Sequence, residues 1–269
     1  MKPVLTIVSV NYNSADFLSV GLKALKKLTI NPWKSIICDN GSVFNDFKKL
    51  RKCVSDYENV FLLSREQKSI GSIGHGEALN MTTQFIDTPY GVIMDADCIP
   101  LIHSWDEMLI NMIDSTCKIA GTPLAVNTPK TDKPKDFPLM FLCVFETETF
   151  KKLEIDFRPK DVSKFQDTGW ELREKYKGAG FKGHNLFGLN TRSYKEGPFK
   201  NTICDEYYSD EHLEKLVCAH FGRGSNPGSG KYGKTTLRRV LDRHLHRKDR
   251  KRWLSICERV IYEQKMLFS

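Results

Sequence analysis

The chain has 269 residues, of which 40% are hydrophobic and 28% are charged, and its formal net charge is +8 at pH 7. This length is enough for one large α/β domain with a sizeable core, and the composition is that of a globular protein. No apolar run approaches the ~20 residues that a membrane-spanning helix needs, so we expect a soluble fold rather than an integral membrane protein.

The basic charge lies in one segment near the end of the chain. Between Lys231 and Arg252 there are ten Lys or Arg and two Asp, a local net charge of +8 that equals the charge of the whole chain. The eight cysteines form no CxxC pair, and several lie in apolar runs such as FLCVF, which is typical of reduced, buried thiols. These features predict a cytoplasmic protein that is either free or peripheral at the inner face of the membrane.

The first hundred residues alternate between apolar runs and segments of helical period. The runs VLTIVSV, SIIC, VFLL and YGVIM predict strands, and the period predicts helices over Phe17–Leu28, around Phe44–Leu50 and near Ala78–Ile86. We interpret VLTIVSV as the first strand and not as a signal peptide, because no small-residue cleavage site follows it. Strands that alternate with helices predict a parallel sheet with right-handed crossovers.

The regular alternation fades after Pro100. The pattern predicts a helix over Ser104–Ser115 and a strand at LMFLCVF, followed by a mixed region that reaches His220. We divide the chain into residues 1–100, residues 101–221 as an elaboration of the same domain, a mobile Gly-rich loop at 222–234 and a basic amphipathic region at 235–269. This last region is predicted to be one long helix or a pair of helices.

Polar side chains follow three of the predicted parallel strands. They are Asn11-Tyr12-Asn13, Asp39-Asn40-Gly41-Ser42 and Asp95-Ala96-Asp97. In open α/β sheets, ligands bind outside the carboxyl ends of the strands. We therefore expect all three clusters to line one crevice.

Asp95 and Asp97 are the best candidates for a metal site. In an extended backbone, residues i and i+2 lie on one side, roughly 6.5 to 7 Å apart, so the two carboxylates could share one Mg²⁺ or Mn²⁺ ion. Alternatively, the pair arises by chance where aspartate begins a turn. Asp39 could likewise bind a base or ribose or form a tight turn with Asn40-Gly41, and Tyr12 could stack on a base or pack internally.

Four motifs in this order resemble a known family. IVSVNYNSADFLSVGLKAL, IICDNGS, GHGEALN and YGVIMDADCIP are similar to the nucleotide-sugar half of family 2 glycosyltransferases, which have the GT-A fold. The resemblance covers roughly residues 4–100 and implies an α/β fold with a mostly parallel open sheet flanked by helices. It also implies that Asp95 and Asp97 hold the donor diphosphate through Mg²⁺ or Mn²⁺, that Asp39 contacts the base, and that Val10 and Tyr12 lie in the donor site.

The chain departs from the family in the donor loop. Where many relatives carry Asn-x-Gly before the fourth strand, this chain has SREQKSIGSIGHGEALN, which puts His75 and Gly76 in an altered loop. His75 contacts the donor phosphates or caps the following helix, and these alternatives stay open. Arg65 or Lys68 could neutralise the diphosphate, or each could be a solvated loop cation.

The second half carries two further resemblances. FQDTGWELREKYKGAG is similar to the family segment whose acidic residue acts as the base, here Asp167, although this aspartate could also cap the helix. Thr168 and Glu171 are spaced as a capping box, which would leave Asp167 facing the crevice. CAHFGRGS places His220 where relatives often have a histidine near the metal, although a lone histidine is often structural.

The resemblance implies inverting sugar transfer. Asp167 would take the proton from an acceptor hydroxyl, on a lipid-linked or cell-surface glycan, while the metal stabilises the departing diphosphate. A nucleotidyltransferase would need a Gly-rich phosphate loop after the first strand, and NYNSADF offers none. A nucleic-acid-binding module could use the basic tail, but this tail has no interleaved aromatic residues, so we expect no nucleic acid partner.

The basic tail has two open interpretations. Its cations, within residues 238–252, form either a solvated helix face or a surface for an anionic membrane. In the second case, Trp253, Ile256 and Val260 would pack on the domain or enter the headgroups. The basic residues of this face are Arg238, Arg239, Arg243, Arg247, Lys248, Arg250, Lys251 and Arg252.

Overall fold

The structure is a computed structural model that describes residues 2–128, 134–161, 166–222 and 236–268, the last range with side chains at 244–264 only. The strands are β1 Leu5–Asn11, β2 Trp33–Asn40, β3 Val60–Arg65, β4 Tyr90–Met94, β5 Cys98–Pro100, β6 Cys117–Gly121, β7 Leu142–Glu146, β8 Lys182–Asn185, β9 Phe187–Asn190, β10 Asp205–Tyr208 and β11 Leu216–His220. The helices are α1 Ala15–Leu28, α2 Phe44–Val54, α3 Gly71–Thr83, α4 Trp105–Ile110, α5 Thr147–Leu153, α6 Glu171–Gly178 and α7 Thr236–Phe268.

The large sheet has seven strands in the order β3-β2-β1-β4-β7-β6-β8. Strands β3, β2, β1 and β4 are parallel neighbours, whereas β7 runs antiparallel to β4 and β6. The predicted α/β fold with a mostly parallel sheet is therefore confirmed. Among the described residues, no helix is both long and apolar enough to span a bilayer.

Helices cover both faces of the large sheet. In β1, Leu5 and Ile7 belong to the core on the α1 face, while Val8 and Val10 belong to the core on the α3 face. This alternation follows from the two-residue period of a strand. The apolar run VLTIVSV has no polar alternation because both of its faces are buried.

A second, four-stranded antiparallel sheet has the order β5-β11-β10-β9. Strand β5 follows the large sheet's β4 directly, and its partner β11 comes from the far end of the mixed region, with Cys98 opposite His220. The second half of the chain is thereby joined to the end of β4. This small sheet is absent from the sequence prediction, because its strands are short and their pairing is not local.

Helix α7 packs along α1 as one continuous helix of 33 residues, so the alternative of a helix pair is wrong. Trp253, Cys257 and Ile261 are buried at intervals of four residues and belong to the core on the α1 face. The ring of Trp253 lies within 6 Å, centroid to centroid, of three phenylalanine rings: Phe17, Phe199 and Phe221. Trp253 therefore packs on the domain and does not enter headgroups.

Two predicted helices have different bounds in the structure. Helix α4 ends at Ile110 and not at Ser115, and helix α3 begins at Gly71 rather than near Ala78. The first turns of α3 contain glycines, which lower helix propensity and hide the helix from a periodicity search. A side chain on Gly74 would lie 2.0 Å from the carbonyl oxygen of Ser69, so close packing requires glycine there. The predicted loop at 222–234 lies outside the described residues except for Gly222.

Candidate active site

The polar ends of three strands meet where the strand order reverses. Strand β1 lies between β2 and β4, and its last residue, Asn11, is directly opposite Asp39 of β2. Asp95 follows the last residue of β4 on the other side of β1. The structure thus brings the three predicted clusters to one edge of the sheet, at the switch point where ligands of open α/β sheets bind.

Asp95, Asp97 and His220 form a compact cluster beyond β4. His220 Nε2 lies 3.4 Å from Asp97 Oδ1 and 3.7 Å from Asp95 Oδ2. One ligand atom from each residue lies within 4.8 Å of the others, and the His220 side chain is only 7% exposed. The structure therefore brings together the three residues that the sequence suggested as metal ligands.

Backbone hydrogen bonds fix this cluster from two directions. The amide of Cys98 donates to the carbonyl of Asp95 at 2.9 Å, which turns the chain out of β4 and into β5. The amide of Phe221 then donates to the carbonyl of Asp97 at 2.9 Å, which holds the end of β11 against the turn. The His220 ring also stacks on Phe141, with centroids 4.0 Å apart. Sequence reasoning missed Phe141, because LMFLCVF indicates only a buried strand.

The charges of the cluster fit a divalent cation. Burial, together with the neighbouring Asp97 and Asp167, raises the pKa of Asp95 to about 7, although His220 lowers it. Burial acts to lower the pKa of His220, but Asp97, Asp95 and Asp205 outweigh this effect and raise it. Two carboxylates and one imidazole are a donor set that suits Mn²⁺ and that Mg²⁺ could share.

His75 and Gly76 lie in the second turn of α3. Because α3 begins at Gly71, His75 does not cap it, and this alternative is wrong. His75 Nε2 lies 3.8 Å from Asp95 Oδ1, so this segment reaches the cluster as part of a helix and not as the predicted loop. Gly76 packs closely on another segment, since a side chain there would lie 2.7 Å from the backbone nitrogen of Arg158.

Asp167 is held against the first turn of α3. Its Oδ1 accepts hydrogen bonds from Ser72 Oγ at 2.5 Å and from the amide of Thr168 at 2.9 Å. The predicted capping box is wrong: α6 begins at Glu171, and Thr168 Oγ1 donates to the carbonyl of Ser72. Ser72 thus makes one hydrogen bond with Asp167 and one with Thr168, and these two bonds join the candidate base to α3. Sequence reasoning missed Ser72, because this contact is not local.

Asp39, at the turn after β2, is hydrogen-bonded both to the end of β1 and within its own turn. Asp39 is 3% exposed, and its carboxylate accepts from Asn11 Nδ2 at 2.8 Å and from the amide of Ser42 at 3.2 Å. Tyr12 is 36% exposed beside this turn, whereas Val10 is buried in the core on the α3 face. Of the residues predicted to bind the base, Tyr12 is thus the most accessible.

Arg65 is neither a solvated cation nor a loop residue. It ends β3, and its guanidinium donates to Glu77 Oε2 at 2.6 Å and to the carbonyl of Gly74 at 3.2 Å. The ion pair with Glu77 lowers the pKa of that carboxyl. Arg65 therefore braces α3 against the sheet.

Comparisons with known proteins agree with this geometry. The model of the family described as "Glycosyl transferase family 2" matches residues 6–176. The chain belongs to this family. The match crosses residue 100 and includes Asp95, Asp97 and the candidate base Asp167, whereas His220 lies beyond it.

The fold is similar to that of a solved structure. A mannosyltransferase from Pyrobaculum calidifontis, in complex with GDP-Man and Mn²⁺, matches 70% of this chain and 55% of its own, with 16% identity and a TM-score of 0.53. Staphylococcus aureus TarS 1–349 in complex with UDP-GlcNAc matches 69% of this chain and 56% of its own, with 15% identity and a TM-score of 0.49.

One curated relative is similar over a shorter stretch. The teichoic acid poly(glycerol phosphate) polymerase of Staphylococcus epidermidis is 28% identical over 94 residues, which are 35% of this chain and 12% of the relative. The chain thus spans about half the length of the two solved structures and a small part of the curated relative.

Proposed function

We propose that the chain is a metal-dependent inverting glycosyltransferase, which moves a sugar from a nucleotide diphosphate to an acceptor hydroxyl. The observation that carries this proposal is the cluster of Asp95, Asp97 and His220 at the carboxyl end of β4. It lies within a family 2 glycosyltransferase chain, and a solved structure of similar fold contains Mn²⁺ and GDP-Man. Family membership does not favour a nucleotidyltransferase or a nucleic-acid-binding module.

The three clustered side chains would hold the cation. A bound Mg²⁺ or Mn²⁺ would neutralise the diphosphate as it leaves. The side chains of Asp95 and Asp97 are 18% and 11% exposed, so the cation would bind in a largely buried cluster, where electrostatic interactions are stronger than in bulk water. His75, 3.8 Å from Asp95, would approach the donor phosphates from α3.

Asp167 would act as the general base. Ser72 Oγ and the amide of Thr168 orient its carboxylate, which would accept the proton of an acceptor hydroxyl. Two other acids already have partners within the chain. Glu171 pairs with Lys160 at 2.7 Å. Buried Glu206 accepts hydrogen bonds from the Phe199 amide and the Tyr208 hydroxyl. Asp167 is therefore the favoured base.

The donor base would bind beside the turn after β2, where Tyr12 offers an aromatic face and Asp39 a buried carboxylate. Solved structures of similar fold contain GDP-Man or UDP-GlcNAc, which makes guanine and uracil nucleotides the first to test. The acceptor would be a lipid-linked or cell-surface glycan. The teichoic acid polymerase named among the relatives suggests that polyol phosphates be included.

Binding and product analysis test the proposal together. UDP, GDP, dTDP and their sugars, with and without Mn²⁺, should include one donor that raises the melting temperature only when Mn²⁺ is present. The anomeric proton of the transferred sugar, measured by NMR, should show inversion relative to that donor. Full transfer after exhaustive chelation would refute metal dependence, and a retained anomeric configuration would refute inversion.

The localisation is part of the proposal as well. A cytoplasmic enzyme that is peripheral at the inner face of the membrane would agree with eight free cysteines, seven of them buried, and with the exposed cations Arg247, Lys248 and Lys251 on α7. Two other cations of the predicted basic face have partners on the domain. Arg250 pairs with Asp16, and Arg252 donates to the carbonyl of Asn201.

A further inference from the structure

Three polar side chains form a row across the small sheet. Asn190 of β9, Asp205 of β10 and His220 of β11 are directly opposite one another in the two strand pairings. Directly opposed residues on antiparallel strands point to the same face. The row therefore leads across the sheet to the cluster of Asp95 and Asp97.

Asp205 is held from the side away from His220. Asn190 Nδ2 donates to Asp205 Oδ1 at 2.6 Å, and the backbone amide of Asn190 donates to Asn127 Oδ1 at 2.6 Å. Asp205 Oδ1 is therefore the oxygen that accepts the hydrogen bond from Asn190. The other oxygen, Oδ2, lies 4.0 Å from His220 Nδ1.

The two nitrogens of His220 face different carboxylates. Nε2 faces Asp97 and Asp95, at 3.4 and 3.7 Å, while Nδ1 faces Asp205. Nδ1 is buried and has no hydrogen-bond partner among the residues that the structure describes, and stacking on Phe141 holds the ring in this orientation. An unsatisfied buried polar atom is unfavourable, and a closer approach of Asp205 by about 1 Å would give Nδ1–H an acceptor at hydrogen-bond distance.

We propose that Asp205 is a positioning residue that accepts the Nδ1–H of His220. This hydrogen bond selects the tautomer whose Nε2 lone pair faces Asp95 and Asp97, where the cation would bind. Histidines that ligate metals commonly donate their second nitrogen to a carboxylate in this way, and loss of the carboxylate weakens metal binding about 10- to 100-fold. The inference rests on the proposed metal site.

Asp205→Asn is a sharp test because Asn190 fixes its orientation. The Asn190 amide needs an oxygen, so the new amide nitrogen would face His220 Nδ1 and disfavour the Nδ1–H tautomer. We expect Asp205→Asn to weaken binding of Mn²⁺ alone about 10- to 100-fold, measured by the EPR signal of the free ion. Asp210→Asn, which removes one charge from the turn just after β10, should bind Mn²⁺ like the wild type.

Two further measurements separate positioning from bulk charge. In the His220→Ala background, Asp205→Asn should weaken Mn²⁺ binding no further, because the aspartate acts through the ring. In wild-type protein with saturating Mg²⁺, ¹⁵N NMR should show His220 protonated at Nδ1, the signal being assigned by its loss in His220→Gln. Protonation at Nε2 would overturn the inference even if His220→Ala binds too weakly to measure.

The outcomes also separate this inference from the metal site itself. If His220→Ala and Asp97→Asn both bind Mn²⁺ like the wild type, the proposed metal site is wrong, and the role of Asp205 falls with it. If those variants lose affinity while Asp205→Asn matches Asp210→Asn, the metal site stands and only the inference is overturned. Thermal melts of every variant in EDTA exclude unfolding as the cause.

Discussion

Two groups of polar side chains follow the strands of the large sheet, and they are bonded in opposite ways. After β1 and β2, Asn11 Nδ2 lies 2.8 Å from Asp39 Oδ1 and 3.0 Å from Asp46 Oδ2, so that an amide of the chain lies between two carboxylates. After β4, two carboxylates and an imidazole face one another at 3.4 to 3.7 Å. We call the first group the Asn11 network and the second the acid–histidine cluster.

The difference shows that an acidic residue at a strand end is not in itself a metal site. In the Asn11 network, Asn11 Nδ2 and the amide of Ser42 donate to the carboxylate of Asp39, so the network stabilises the turn beside which the donor base would bind. In the acid–histidine cluster, burial penalises the charge of Asp95 and raises its pKa to about 7. A cation would relieve that penalty, and the cluster is therefore suited to binding rather than to folding.

The largest expected effect concerns a residue that belongs to neither group. Asp167→Asn should lower transfer about 10²- to 10⁴-fold, because general-base catalysis contributes about that much, while nucleotide affinity stays within a few-fold. Initial rates and a nucleotide titration measure the two quantities. Transfer at the wild-type rate would mean that another group accepts the proton.

Asp97→Asn tests the cluster directly. We expect transfer to fall by roughly 10²- to 10³-fold, the usual loss when one electrostatic contact to the developing charge is removed. Urea unfolding in EDTA should be little changed, because the residue lies at the rim of the sheet. If Asp97→Asn instead destabilises the protein enough to account for the lost activity, the cluster is a structural group like the Asn11 network.

The first half of the fold was predictable because its signals are local. The apolar run of β1 and the period of α1 lie within short windows, and the strand ends then placed Asp95 and Asp97 at the switch point. The start of α3 was not predictable, since glycines such as Gly74 and Gly76 lower helix propensity and are required only by close packing.

Contacts between distant parts of the chain could not be predicted from the sequence either. The pairing of His220 with Cys98 joins strands far apart in sequence, and no local pattern marks it. His220 itself was suggested by resemblance to the family, whereas the neighbouring Phe141 carried no signal of its own. Similarly, Thr168 and Glu171 have the spacing of a capping box, but tertiary hydrogen bonds to the carbonyl of Ser72 and the amide of Asp156 use their side chains instead.

Asn11→Ala should lower the stability of the protein, which Asp97→Asn should leave little changed. Removal of the amide leaves Asp39 and Asp46 without a shared donor, and we expect the free energy of unfolding to fall by about 1 to 3 kcal/mol. Urea unfolding measures this loss. The exposed Asn45→Ala on α2 is the matched control and should change stability by less than about 0.5 kcal/mol.

A smaller effect is expected at Ser72, whose hydroxyl donates to Asp167 Oδ1. Ser72→Ala should lower kcat by up to about 10-fold, since one hydrogen bond contributes about 0.5 to 1.5 kcal/mol, without changing nucleotide affinity. Ser209→Ala removes a similar bond to Asp210 outside the site and should leave kcat unchanged. Equal effects of the two variants would contradict an orienting role for Ser72.

The smallest expected effect concerns the exposed cations of α7, which the proposal places at an anionic membrane. Lys248→Gln should weaken binding to vesicles with anionic lipid about 5-fold, because a basic residue near such a surface contributes about 1 kcal/mol. Lys49→Gln, at an exposed position of α2, should have no effect. Flotation at low and physiological salt, with neutral vesicles as the reference, measures both variants. Wild-type protein that shows no preference for anionic vesicles at either salt would leave α7 as a helix that packs on α1 through Trp253 and exposes a solvated basic face.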